Sequence, residues 1–243
     1  MSAPLVRLQD VCFGYPDRPN VLQDVSLEIG KDAKAAVIGD NGEGKTSLLH
    51  LIMGLHHAQS GRVQLFGRQM HGEADFAQQR TRIGFVFQNA DDQLFCPTVE
   101  QDVAFGPLNL GFSRQAARDR AADTLALLGL DGYQARLTHT LSGGEKKLVS
   151  LATVLSMDPE ILLLDEPTTG LDAQYRRKLI AVLERINLPH LIVSHDFDFL
   201  DRTSHTFYRL HGGSLEPGSR AIVHTHQHAH PLGNTRHSHG HSS

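Results

Sequence analysis

Ala35-Ala36-Val37-Ile38-Gly39-Asp40-Asn41-Gly42-Glu43-Gly44-Lys45-Thr46 is the stretch whose reading decides the fold. Four apolar residues read as a short buried strand that meets a glycine. Gly39 to Thr46 then fit the phosphate-loop pattern GxxxxGK[ST]. Glycines let such a loop wrap with its N–H groups inward, and the helix that follows points its positive N-terminal end at a phosphate. Lys45 would reach the β- and γ-phosphates of a nucleotide, and the Thr46 hydroxyl, beside Ser47, would ligate Mg²⁺. From residue 45 the period changes: Leu48, Leu51, Ile52 and Leu55 recur at i, i+3, i+4 and i+7, one face of a helix. The loop alone leaves ATPase, GTPase and kinase open. No guanine-reading Asn/Thr-Lys-x-Asp motif favours the GTPase.

Before this stretch, Val11, Phe13 and Tyr15, and then Val25, Leu27 and Ile29, alternate as strands do. After it, Val63 and Leu65 alternate between Gly61 and Gly67, and so do Ile83, Phe85 and Phe87. Residues 89–157 read as mostly helical, with Ala117, Ala121, Leu125 and Leu128 on one face and Leu148, Leu151, Ala152 and Leu155 on another. Two buried strands follow, at Ile161–Leu164 and Leu191–Val193. Strands flanking a helical insertion imply an α/β fold with a helical lobe.

Ile161-Leu162-Leu163-Leu164-Asp165-Glu166 is four aliphatics followed by two acids. A buried strand delivers such acids to its C-terminal edge, where ligands bind in open α/β sheets. Asp165 would hold Mg²⁺ and Glu166 would polarise the attacking water as general base. Adjacent strand residues point to opposite faces, so different roles are expected of the two acids.

The whole chain has 243 residues, 40% of them apolar and 21% charged, with a formal net charge of −4. This balance suits a globular protein with a real core and implies no nucleic-acid partner. Two cysteines, Cys12 and Cys96, exclude a disulfide scaffold and a cysteine-rich zinc site. Residues 1–7 lack the apolar segment of a signal peptide, and Ile161–Leu164 is far short of a membrane span. Work at a membrane is therefore expected to go through partners. From about Pro217 periodicity is lost, and residues 217–243 read as a flexible tail. It carries seven of the chain's 16 histidines: His224, His226, His228, His230, His237, His239 and His241.

Leu141-Ser142-Gly143-Gly144-Glu145 precedes an apolar helix, and small residues at a helix start leave N–H groups free for an anion. With the phosphate loop, the Leu162–Asp172 stretch and a late histidine, in that order, residues 3–215 resemble an ATP-binding cassette (ABC) ATPase. The resemblance implies a RecA-like core lobe, an N-terminal antiparallel β subdomain and a helical subdomain inserted at about 89–157. It implies ATP and Mg²⁺ as cofactors, with Gly39 to Ser47 (Gly39, Asp40, Asn41, Gly42, Glu43, Gly44, Lys45, Thr46, Ser47) around the phosphates and Tyr15 stacked on adenine. Gln88 looks like the glutamine that contacts Mg²⁺ and the water, and His195 like the histidine that contacts the γ-phosphate. Asp172 looks like the aspartate that acts across the dimer. In that family two cassettes pack head-to-tail, as a homodimer or with a paired homologue, and the signature of one closes over ATP held by the other. Two departures stand out: Asp40 and Glu43 replace neutral loop residues and should repel a triphosphate unless turned away, and Glu145 replaces glutamine.

The segment Phe87 to Pro107 is similar to ATPases of energy-coupling factor (ECF) transporters, which use it to grip a membrane subunit. Glu145 to Ala152 looks most like the cobalt/nickel branch. This resemblance implies a peripheral subunit on the cytoplasmic face, working with an integral coupling (T) subunit and a metal-capturing (S) subunit. The tail offers imidazoles at His-x-His spacing, which suit Ni²⁺, Co²⁺, Cu²⁺ or Zn²⁺. An alternative reading is a soluble P-loop metallochaperone nucleotidase that delivers nickel; the signature and the Gln88–Pro107 segment argue against it.

Overall fold

Runs of consecutive apolar residues become strands here because both faces of their sheet are covered. In the computed structural model, which describes residues 3–218, the order is β1 (Val6–Phe13), β2 (Leu22–Ile29), β3 (Lys34–Ile38), α1 (Lys45–Met53), β4 (Ser60–Leu65), β5 (Arg68–Gln69), α2 (Glu73–Arg80) and β6 (Ile83–Val86). Then come α3 (Val99–Asn109), α4 (Arg114–Leu127), α5 (Gly143–Leu155), β7 (Ile161–Asp165), α6 (Ala173–Ile186), β8 (His190–Val193), α7 (Phe197–Thr203), β9 (Thr206–His211) and β10 (Ser214–Gly218).

Two sheets form. The first is antiparallel, in the order β2-β1-β4-β5. The second runs β10-β9-β3-β8-β7-β6 and is parallel except for its β10 edge. Strand periodicity divides its residues between two cores. Ala35, Val37, Ile161 and Leu163 face the core shared with the antiparallel sheet. Ala36, Ile38, Leu162 and Leu164 face the core shared with α3 to α6. The architecture is thus the α/β cassette expected, with an antiparallel β part and a helical part.

Helix α1 buries a wide apolar face: Leu48, Leu49, Leu51 and Ile52 are all fully buried in one core, while Thr46 and His50 on the other side are half-buried. Leu55 is not on it: Gly54, at φ 67°, ends the helix, and Leu55 is 48% exposed. At the other end of the described residues, Pro217 and Gly218, read from sequence as the start of a flexible tail, pair with Tyr208 and Phe207 in β9. The tail histidines lie outside the described residues. Sequence periodicity also passed over α2, α6, β9 and β10.

The helical part is fixed by caps. Thr98 and Gln101 form a capping box on α3, as Ser142 and Glu145 do on α5, and Ser113 caps α4. Pro107, inside α3, cannot donate to the carbonyl of Val103. The buried Ser156 hydroxyl donates to that carbonyl instead, at 2.8 Å, and so binds the end of α5 to α3. Ser156→Ala should therefore lower stability by about 1–3 kcal/mol, because a buried acceptor loses its donor. Urea denaturation of the two proteins measures it.

Candidate nucleotide site

The cavity that collects the sequence motifs lies at the C-terminal ends of neighbouring parallel strands. It measures about 550 Å³ and is lined by Tyr15, Arg18, Asn41, Gly42, Gly44 to Ser47, Gln88, Asp165, Glu166, Thr169 and His195. The phosphate loop leaves β3, His195 follows β8, the two acids end β7 and Gln88 follows β6. These strands are neighbours in the order β3-β8-β7-β6, which is why residues far apart in sequence meet.

The loop turns into α1 at Gly44, whose φ of 100° favours glycine. No side chain caps α1, so its first N–H groups remain available to an anion. Lys45 is 6% exposed, and its Nζ donates to the carbonyls of Gly39 (2.8 Å) and Asp40 (3.0 Å). The same Nζ stands 3.9 Å from Glu166 Oε1. The cation is therefore held over the loop, where phosphate oxygens can replace the carbonyls.

Thr46 Oγ1 donates to Asp165 Oδ2 at 2.8 Å, while Asp165 Oδ1 is buried with no hydrogen-bond partner among the described residues. Burial pushes the Asp165 carboxyl above its usual range, opposed by the Thr46 hydroxyl and raised further by Glu166. A hydroxyl and a half-satisfied buried carboxylate fit a hard divalent cation such as Mg²⁺, which takes one or two protein oxygens and completes its shell with phosphate and water. Among the described residues no group of three or more His, Cys, Asp or Glu forms a self-sufficient metal cage.

Asp165 and Glu166 line one cavity instead of diverging as successive strand residues do. Strand β7 ends at Asp165, and Glu166 adopts φ 42°, a left-handed turn uncommon outside glycine. The turn swings the second acid into the same cavity. Ser194 Oγ donates to Glu166 Oε2 at 3.1 Å, the His195 N–H to the same oxygen at 3.4 Å, and His195 Nδ1 lies 2.9 Å from it. Strained backbone of this kind is kept where surrounding bonds over-determine it.

Tyr15 lies at the cavity wall. Its hydroxyl bonds to Ser47 Oγ (3.0 Å) and to His56 Nε2 (3.2 Å), and Phe13 meets its ring edge-on. Gln88 is exposed at the cavity rim. Of the two loop acids, Asp40 is exposed, and Glu43 turns to the β9–β10 turn, where Oε2 accepts from the Gly212 N–H at 2.8 Å and Oε1 lies 3.4 Å from His211 Nδ1. Sequence reasoning missed Arg18 and Thr169. Arg18 follows Tyr15 in a tight turn, Tyr15 and Arg18 exchanging main-chain hydrogen bonds, and no motif marks it.

The signature residues Leu141 to Glu145 do not line this cavity. Ser142 and Gly143 are exposed, while Gly144 packs so closely on Tyr175 that a Cβ would lie 2.3 Å from its ring. Glu145 turns inward and accepts from Arg136 Nη1 (2.6 Å), Tyr133 Oη (2.7 Å) and the Ser142 N–H (2.7 Å). Asp172 caps α6 by accepting from the N–H groups of Gln174 and Tyr175.

Two expectations follow. Glu43→Gln should change the affinity for a nucleoside triphosphate by less than about threefold, because the carboxylate is already paired away from the loop; titration calorimetry reads it. The Arg136 hydrogen bond, the largest influence, holds the Glu145 carboxyl down at about 2. A depressed folded-state value gives stability that is present above the ordinary glutamate range and lost as pH falls towards 2. Glu145→Gln should therefore cost stability at neutral pH, and its deficit should shrink below about pH 4.5; urea denaturation across that range tests this.

Comparison with known proteins agrees with the geometry. Residues 22–169 match the ABC transporter family. A putative ABC transporter ATP-binding protein of Nitratidesulfovibrio vulgaris is 52% identical over 97% of this chain and 86% of its own length. The energy-coupling factor transporter ATP-binding protein EcfA of Methanothermobacter thermautotrophicus is 39% identical over 87% of this chain and 69% of its own. The structure of cbiO1 from Clostridium perfringens, part of the ABC transporter complex cbiONQ, superposes with a TM-score of 0.82 at 28% identity, covering 93% of this chain and 92% of that one. With its phosphate loop, paired acids and signature segment on this fold, the chain belongs to the ABC transporter family as an ATP-binding, ATP-hydrolysing subunit of ECF-like type.

Proposed function

We propose that this chain drives an ECF-type importer of nickel or cobalt ions, using Mg²⁺-ATP. The observation that carries the ATPase mechanism is the meeting of Lys45, Thr46, Asp165, Glu166, Gln88 and His195 around one cavity. ATP enters with its phosphates against the loop N–H groups and the start of α1, and Lys45 exchanges the Gly39 and Asp40 carbonyls for phosphate oxygens. Tyr15 offers its ring to the base. Thr46 and Asp165 would hold Mg²⁺, which neutralises charge on the phosphate oxygens when bound. Glu166, braced by Ser194 and by the His195 N–H, takes the proton of the attacking water. Gln88 orients that water, and His195 reaches the γ-phosphate.

A partner is needed because the exposed Ser142 and Gly143 stand apart from this chain's own cavity. Two cassettes, identical or homologous, arranged head-to-tail let each signature close on the other's ATP, with Asp172 at the contact. Among the described residues no helix is long and apolar enough to cross a membrane. The exposed Phe95, Phe105, Leu108 and Phe112 of the helical part are available to a membrane-embedded coupling subunit, which supports reading the chain as a peripheral subunit on the cytoplasmic face. A separate substrate-capture subunit would hold the ion. The ECF reading is supported by the likeness of Phe87–Pro107 to ECF ATPases, and the metal assignment by the likeness of Glu145–Ala152 to the cobalt/nickel branch and by seven histidines in the last twenty residues, outside the described part.

Radiolabelled Ni²⁺ and Co²⁺ uptake by cells that express the whole complex tests the proposal. Uptake of one ion should be competed by the other and abolished by Lys45→Ala; metal uptake that persists without Lys45 would sink it. In purified protein, Glu166→Gln should lower kcat by about 100-fold or more while ATP stays bound, as loss of a general base does. Unchanged hydrolysis would remove Glu166 from that role.

A further inference from the structure

Gln88 stands on a loop whose main chain is gripped by the signature helix. Just past β6, the Phe87 N–H donates to Gln93 Oε1 at 3.1 Å. The amide of Gln93 in turn donates to the Ser150 carbonyl (2.9 Å) and to Thr153 Oγ1 (2.8 Å), both on α5. The carbonyls of Phe87 and Gln88 accept from Lys147 Nζ, at 3.1 and 2.6 Å. Outside this rack, Lys146 Nζ meets Asp91 Oδ1 at 2.6 Å.

Lys147 is the unusual member. It is 4% exposed, and a buried ammonium is costly unless its donors are filled and negative charge is near. Here two main-chain carbonyls take its donors, and the field of Asp165 and Glu166 acts on it. Because it holds main-chain atoms, it fixes where residue 88 stands whatever the side chain does. It sits one turn into α5, and the exposed Ser142 and Gly143 lie at that helix's start. A displacement of α5 therefore pulls directly on the loop that carries Gln88.

We propose that Lys147 is a positioning residue that ties the main chain of Gln88 to the signature helix, so that engagement of the signature sets the place of the Gln88 side chain in this chain's own nucleotide cavity. Lys147 does not line that cavity, and its proposed effect on the water runs through the main chain of Gln88. The proposal rests on the reading of Gln88 as the glutamine that orients the water.

A double-mutant cycle on the full chain, with Mg²⁺-ATP hydrolysis as readout, separates the two ideas. Gln88→Ala should lower kcat about tenfold or more, as misplaced water does. Lys147→Met should lower kcat by a similar factor and leave the KM for ATP within about threefold. The double variant should fall no more than about twofold below the worse single variant. Lys147→Gln, which keeps one amide donor, should lie between the natural protein and Lys147→Met, and it carries the same cycle if the methionine variant does not fold. Wild-type kcat in the Lys147 variants beside a slowed Gln88→Ala overturns the proposal. So do losses that multiply in the double variant, or a raised KM with unchanged kcat. A Gln88→Ala protein that hydrolyses ATP normally overturns the reading of Gln88 itself, and the proposal with it.

Discussion

Helix α1 is buried along most of its surface, and the rest of the site depends on that burial. Leu48, Leu49, Leu51 and Ile52 fill the layer between the two sheets. The helix therefore cannot turn or slide without opening a core. Its uncapped N-terminus is fixed relative to β3, and the loop between them has one available path. Lys45 and Thr46, the first residues of α1, inherit this rigidity. An anion site built on orphan N–H groups needs that support, because a loop free to relax would satisfy those groups internally.

The second constraint is electrostatic. Lys45, Lys147, Asp165 and Glu166 are all nearly buried within one region. Each cation lies beside main-chain carbonyls as well as near an acid. Burial pulls the Lys147 ammonium down to about 8, opposed by Asp165 and Glu166, and pushes the Asp165 carboxyl up. Asp165 and Glu166 favour the charge on Lys147, and Lys45 and Lys147 favour that on Asp165, so loss of a partner leaves a buried charge less compensated. Such networks confer little net stability but fix positions strongly, which suits a site that must orient a phosphate and a water.

The sequence was most legible where one residue pattern has one physical solution. The glycine-rich loop with Lys45 and Thr46, the four aliphatics before Asp165, and the apolar faces of α4 and α5 all have local causes. Legibility failed where distant contacts decide. Leu55 matched a helical face that Gly54 cuts short. Glu166 matched a strand continuation that a left-handed turn breaks. Arg18 reaches the cavity through a turn, with no motif to mark it. Glu43 is turned from the loop by the Gly212 N–H and by His211, nearly 170 positions away, partners that no local pattern marks.

Sequence by itself determined the local chemistry: a phosphate-binding loop, a strand that ends in acids, a capped signature helix, and periodic segments that make an α/β fold. These follow from backbone propensities and spacing within a few turns of chain. Tertiary structure alone decided the strand order β3-β8-β7-β6, which sets the loop, His195, the acid pair and Gln88 at one edge. It also decided that the signature faces away from this cavity, and that Lys147 reaches the Gln88 carbonyl from a different helix. Those outcomes come from burying apolar faces against one another, a condition on the whole chain that no single segment can state.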